Sequence, residues 1–148
     1  MAPASLLLRP AEAGDAARLA ALSGQLGYPA TPDAIRERLR LLALQGDPPV
    51  RVALVEGEVV GWVQVGCTLS LEAGAQAILS GLVVDEAFRG RGIGTALVAA
   101  AEAWARAQGL AVLRVRTHTA RTDTHRFYAN LGFEEVKRQV VFRKELGA

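Results

Sequence analysis

Leu82-Val83-Val84-Asp85-Glu86-Ala87-Phe88-Arg89-Gly90-Arg91-Gly92-Ile93-Gly94-Thr95 runs from an apolar segment through alternate glycines into a helical pattern, and the architecture of this chain follows from it. Three successive apolar residues, Leu82 to Val84, predict the end of a strand covered on both faces. Alternate glycines follow, and they open directly into a helical pattern to Gln108 with Leu97, Ala101, Trp104 and Ala105 on one face and Gly109 as its stop. Strand, glycine turn and helix in that order leave backbone amides unpaired at a helix N-terminus, where the macrodipole adds partial positive charge. Glycine permits positive φ and close approach, and Arg89 and Arg91 add full charges, so the turn is a candidate phosphate site. Any tight strand-to-helix connection favours glycine. Three glycines interleaved with two arginines favour the anion.

Upstream, Ser5 to Arg9 reads as a first strand closed by Pro10. A helix bearing Leu19, Leu22 and Leu26 follows, with Asp15 as its expected cap. A second helix starts at Thr31-Pro32-Asp33 with Ile35, Leu39 and Leu42 on one face, and Gln45-Gly46-Asp47-Pro48-Pro49 stops it. From Val50 the period becomes two: Val50 to Val55, a turn at Glu56-Gly57, then Glu58 to Cys67 predict a hairpin, and Ala75 to Val84 a further strand. Downstream, Leu110 to Thr117 reads as a strand, Thr122 to Asn130 as a short helix ended by Gly132, and Phe133 to Leu146 as one or two closing strands. The order β-α-α-β-β-β-α-β-α-β predicts an α/β (α+β) fold: a mixed central sheet with helices on both faces, in a single domain over residues 1–148.

Composition narrows the function. The chain has 148 residues, 51% of them apolar, and a net charge of +2, which excludes disorder. A lone cysteine, Cys67, makes neither an intramolecular disulfide nor a cysteine zinc cluster, and is expected to be a small buried hydrophobe; no metal site is expected. No signal peptide or membrane span is evident, and with the sparse cysteine this points to a reducing, cytoplasmic setting. The basic side is lopsided, 15 Arg against 2 Lys, but the arginines are scattered, so nucleic acid is not an expected partner. A dinucleotide fingerprint needs G-x-G-x-x-G with a later carboxylate, and a nucleoside-triphosphate loop needs a Lys that is absent before Lys137, so both nucleotide readings fail.

Two segments carry a family resemblance. Arg89-Gly90-Arg91-Gly92-Ile93-Gly94 matches R/Q-x-x-G-x-G/A, and Arg126-Phe127-Tyr128-Ala129-Asn130-Leu131-Gly132-Phe133 is similar to F-Y-x-x-x-G-F downstream. Together with the element order, which covers nearly the whole chain, they resemble the GNAT family of N-acetyltransferases. The resemblance implies acetyl-CoA as co-substrate, lying where the fourth and fifth strands separate. It implies that backbone groups of Leu82 and Val84 pair with the pantetheine arm and that the amide of Leu82 or Val83 lies near the thioester oxygen. The amides of Arg89 through Thr95, Gly90, Arg91, Gly92, Ile93 and Gly94 included, would hold the pyrophosphate, with Arg121 and Arg126 as further phosphate contacts. Tyr128 is implied as the acid that protonates the departing thiolate, and Phe127 as packing near the cofactor.

Other roles stay open. Family members often carry Asn and Ala where this chain has Arg121 and Thr124, so a side-chain amide contact to pantetheine is not expected. The general base is Glu72, Asp85, Glu86 or a water chain; Asp85 is expected to cap the turn, and His125 is a weaker acceptor. The implied acceptor is a primary amine on a small molecule, near Tyr28 and the loop from Gln25 to Asp33; Glu72, Asp33 and Asp47 are a thin supply of carboxylates for a polycation. A non-catalytic CoA-binding regulatory module of the same fold is the alternative, and an acetyltransferase acting on charged tRNA a third. The edge of the C-terminal strand leaves room for a homodimer.

Overall fold

In the computed structural model, which describes residues 3, 5–45 and 49–147, the alternating stretches pair side by side as β1 (Leu6–Pro10), β2 (Val50–Val55), β3 (Glu58–Ser70), β4 (Gly74–Val84) and β5 (Leu113–Val115). The first four are antiparallel neighbours and β4 runs parallel to β5. Glu56 (φ 52°) and Gly57 (φ 80°) are both left-handed, the type I′ turn whose twist matches that of β2 and β3. The helices are α1 (Ala16–Leu26), α2 (Pro32–Ala43), α3 (Ile93–Ala107) and α4 (Thr122–Asn130). The chain divides into two compact units: Met1–Val115 holds the sheet with α1 to α3, and Arg116–Ala148 holds α4.

In the first unit the sheet is covered on both faces. Leu19 and Leu22 of α1 pack with Val52, Leu54, Val59 and Val83, bordered by Ile35 and Leu39 of α2 and by Trp62. Each such leucine taken out of water contributes roughly 1.5–3 kcal/mol. Gly61 and Val84, paired across β3 and β4, lie on the opposite face from Trp62 and Val83. There a side-chain methyl of Leu97 in α3 comes within 3.3 Å of where a Cβ on Gly61 would sit. Ile93, Val98 and Ala101 complete the buried stripe of α3.

Several sequence expectations change. Asp15 does not cap α1 with its side chain. Its carboxylate is instead gripped by Arg9, at 2.8 and 2.9 Å, and by the Glu12 amide at 2.8 Å, tying the end of β1 to the start of α1. The Arg9 hydrogen bond holds the Asp15 carboxyl below its usual range despite burial. Thr31 does cap α2, accepting from the Ala34 amide at 3.1 Å, with Pro32 in the first turn. The fifth strand is only three residues long, and residues 133–147 form no strand, because alternation supplies side chains but no described backbone forms a ladder with them. Cys67 is exposed rather than buried: burial along β3 ends at Val65, and Cys67 lines a cleft with Trp104 and Gln108 at the end of α3. Asp47 and its neighbours Gly46 and Pro48 lie outside the described residues.

Candidate functional site

The site begins with one extra residue. Gln64 pairs with Gly81 and Val65 with Leu79, so Ser80 is a bulge in β4. The ladder to β5 covers only Ala77 to Leu79, and beyond it no described strand lies beside β4 on that side. The Asp85 amide donates to the Val60 carbonyl at 2.7 Å. Alternation along an antiparallel pair then turns the backbone groups of Gly81 and Val83 towards β3, and those of Leu82 and Val84 towards the free edge. Arg89 agrees with that direction, its Nε donating to the Val84 carbonyl at 3.2 Å. An extended ligand with amide groups can pair with such an edge as another strand would.

The same edge runs into the glycine turn. Gly90 (φ 78°) and Gly92 (φ 79°) both take left-handed backbone, which side chains resist. Gly92 is the cap residue of α3 and no side chain caps that helix, so the amides of Ile93, Gly94 and Thr95 open α3 with its positive dipole end unneutralised. Arg91 lies over the Phe88 ring, 5.0 Å from its centroid. Arg89 and Arg91 are both exposed at this turn.

The carboxylates named as base candidates are scattered. Asp85 caps its own turn, accepting from the Ala87 amide at 3.1 Å, and pairs with Arg18 of α1 at 2.8 Å. The Arg18 hydrogen bond, with the Ala87 amide second, holds its carboxyl below the usual range. Arg18 also donates to the Val59 carbonyl at 3.0 Å, and the Glu86 amide donates to the Gln25 side chain at 3.0 Å, so this end of β4 is bolted to α1. Glu72 sits in the turn between β3 and β4, a strand length of roughly 30 Å from Val84. Tyr28 is exposed in the loop between α1 and α2, and Asp33 pairs with Arg36 at 2.6 Å.

The second unit holds the remaining candidates. Arg121 precedes α4, its carbonyl accepting from the His125 amide. Tyr128 is buried, with the rings of Phe127 and Phe133 set edge-on to it at 5.1 and 5.3 Å. Burial pushes its hydroxyl up to about 12, so it stays protonated at any ordinary pH. His125 Nε2 is 2.9 Å from the His118 carbonyl, which fixes that nitrogen as a donor.

Sequence reasoning missed one pair. Trp62 lies across Gly81: a Cβ there would stand 2.6 Å from Trp62 Cη2, and the indole Nε1 is buried without a partner among the described residues. The signal was a glycine inside a strand, which marks close approach of another group. Gly81→Ala is expected to cost about 1–3 kcal/mol in urea unfolding and to shift tryptophan emission as the ring moves. By contrast, a cleft of about 510 Å³ lined by Val65, Cys67, Trp104 and Gln108 touches none of the candidate residues. It lies at the other end of α3, roughly 17 Å from Ile93.

Residues 18–133 match the Acetyltransferase (GNAT) family. The chain is 31% identical to an aminoglycoside N(6')-acetyltransferase type 1 of Stenotrophomonas maltophilia, over 94% of this chain and 93% of that protein. It is 35% identical to an aminoalkylphosphonate N-acetyltransferase of Salmonella typhimurium, over 77% of this chain and 72% of that one. Its fold matches an aminoglycoside N-acetyltransferase solved in complex with CoA, with a TM-score of 0.79 and 24% identity over 94% of each chain.

Proposed function

The chain belongs to the Acetyltransferase (GNAT) family, and from that premise we propose that it transfers the acetyl group of acetyl-CoA to a primary amine on a small molecule. The observation that carries this reading is the continuity of two recognition surfaces: the free edge of β4 at Leu82 and Val84 leads directly into the uncapped start of α3. The edge suits the amides of a pantetheine arm. The glycine turn suits a pyrophosphate, with Arg89 and Arg91 beside it.

The chemistry asks mainly for placement. A neutral amine held against the thioester carbonyl forms the new C–N bond, and the backbone amide of Leu82, rather than that of Val83, which is turned towards β3, stabilises the oxyanion that develops. As the C–S bond breaks, Tyr128 gives its proton to the thiolate and is reprotonated by water. Phe127 packs near the co-substrate and Arg121 adds a phosphate contact. The proton lost by the amine leaves through water: β4 carries no carboxylate, and Asp85 is held as an anion by Arg18, which makes it a weak base. The named relatives suggest two acceptor classes, aminoglycosides and aminoalkylphosphonates. The missing strand carboxylate also favours a second reading, a module of the same fold that binds CoA without catalysis.

A panel of primary amines assayed for thiol release with acetyl-CoA, beside a thermal shift with acetyl-CoA alone, separates the two. Expected are a clear rise in Tm with the co-substrate and turnover of at least one amine, with kcat/KM rising with pH as that amine deprotonates. Stabilisation with no turnover across the panel selects the binding module. Absence of any shift in a folded protein overturns the site itself.

A further inference from the structure

Trp62 rises from β3 on the face that α1 covers, packs against the cluster of Leu19, Leu22 and Val83, and stays partly exposed. Its far edge reaches across to β4, where Cη2 and Cζ3 lie 2.6 and 2.7 Å from the place a Cβ on Gly81 would take. Gly81 directly precedes Leu82, and among the described residues the ladder to β5 has ended two residues earlier, at Leu79. The ring therefore leans over β4 towards its free edge. Its indole Nε1 is buried without a partner among the described residues, so no hydrogen bond sets this position. Space filling alone is served by Phe, which has no N–H to leave unpaired. The added length of the indole brings an aromatic surface to Gly81.

The direction of attack gives that surface a use. A thioester paired with the edge, its oxygen on the Leu82 amide, lies with its carbonyl near the plane of the sheet and about 4.8 Å from β4. A nucleophile reaches the carbonyl carbon from above or below that plane, at about 3–3.5 Å. On one side stand the side chains of Leu82 and Val84, which alternate to the face where Leu97 of α3 packs. On the other side Gly81 has no side chain, and the nearest surface is the edge of the Trp62 ring, roughly 6 Å from the thioester carbon. That gap holds one amino group and the methylene that carries it. An aromatic ring there attracts the ammonium form on arrival and packs on the adjacent carbon once the amine is neutral. A second substituent on that carbon collides with the ring.

We propose that Trp62 is the wall of the acceptor seat and a specificity-determining residue, selecting primary amines carried on an unbranched methylene. The inference rests on the acetyl-transfer reading above, and its test keeps the two apart. In a Trp104→Phe background Trp62 is the sole tryptophan. Saturating acetyl-CoA is then expected to quench or shift its emission, whereas ADP, which fills only the glycine turn, leaves it unchanged. For an amine that turns over, Trp62→Leu should raise KM about tenfold while the dissociation constant of acetyl-CoA stays within about threefold. The same variant should lose the preference for an unbranched amine over its α-methyl analogue, and Trp62→Phe, which keeps a ring, should recover part of both effects. Turnover by a chain in which Trp62 emission ignores bound acetyl-CoA overturns the proposal and leaves acetyl transfer standing. So does a Trp62→Leu variant with the parent KM and the parent preference. Binding of acetyl-CoA without turnover of any amine overturns both, since there is then no acceptor to select.

Discussion

Gly92→Val is expected to raise the dissociation constant for CoA by about 100-fold or more while leaving the protein folded. Gly92 sits at φ 79° and opens α3. A β-branched side chain there costs roughly 1–3 kcal/mol of backbone strain, and the chain escapes it by leaving the left-handed region. Doing so turns the first amides of α3 away from a bound pyrophosphate. Each charge-assisted hydrogen bond lost removes about 1.5–3 kcal/mol, and two of them are sufficient for the loss of affinity. Calorimetric titration of CoA reads the effect; circular dichroism and Tm show that the fold survives. Binding within threefold of the parent protein would mean that the turn does not hold the phosphates.

The second large effect concerns release of the thiol. Tyr128→Phe keeps the aromatic contacts with Phe127 and Phe133 but removes the proton, and kcat is expected to fall by about 100-fold with little change in KM. The pH profile carries the sign. An acid works below its pKa and fails above it, and burial has pushed the Tyr128 hydroxyl up to about 12, so it should impose no falling limb on the parent enzyme in the ordinary range. A thiol ionises near 8.5, so at higher pH the leaving group needs no proton and the deficit of the variant should shrink. A variant with the parent rate at pH 7 would remove Tyr128 from the chemistry.

How far the primary sequence carries this protein differs between local and long-range features. The β2–β3 turn was legible because Glu56-Gly57 between alternating runs has few conformations open to it, and the cap of α2 because Thr31-Pro32 acts within one turn of itself. The anion turn was legible for the same reason: glycine at Gly90 and Gly92 is a statement about local φ. Asp15 misled because a capping residue is judged from its own helix, whereas its carboxylate was taken by Arg9 on a neighbouring strand. Cys67 misled because alternation marks a strand without saying where along it the cover ends.

Backbone choices that depend on a few consecutive residues were therefore settled by sequence alone: the order of elements as far as α4, the hairpin, the glycine turn and the motif that places the chain in its family. Pairing was not. The bulge at Ser80, the free edge it leaves beyond Leu79, the seat of Trp62 over Gly81, the coupling of Asp85 to Arg18 and the lack of a strand in residues 133–147 all depend on which distant segment comes alongside among the described residues. The physical reason is that a ladder bond or a close packing contact takes two partners, and a sequence pattern describes only one of them at a time.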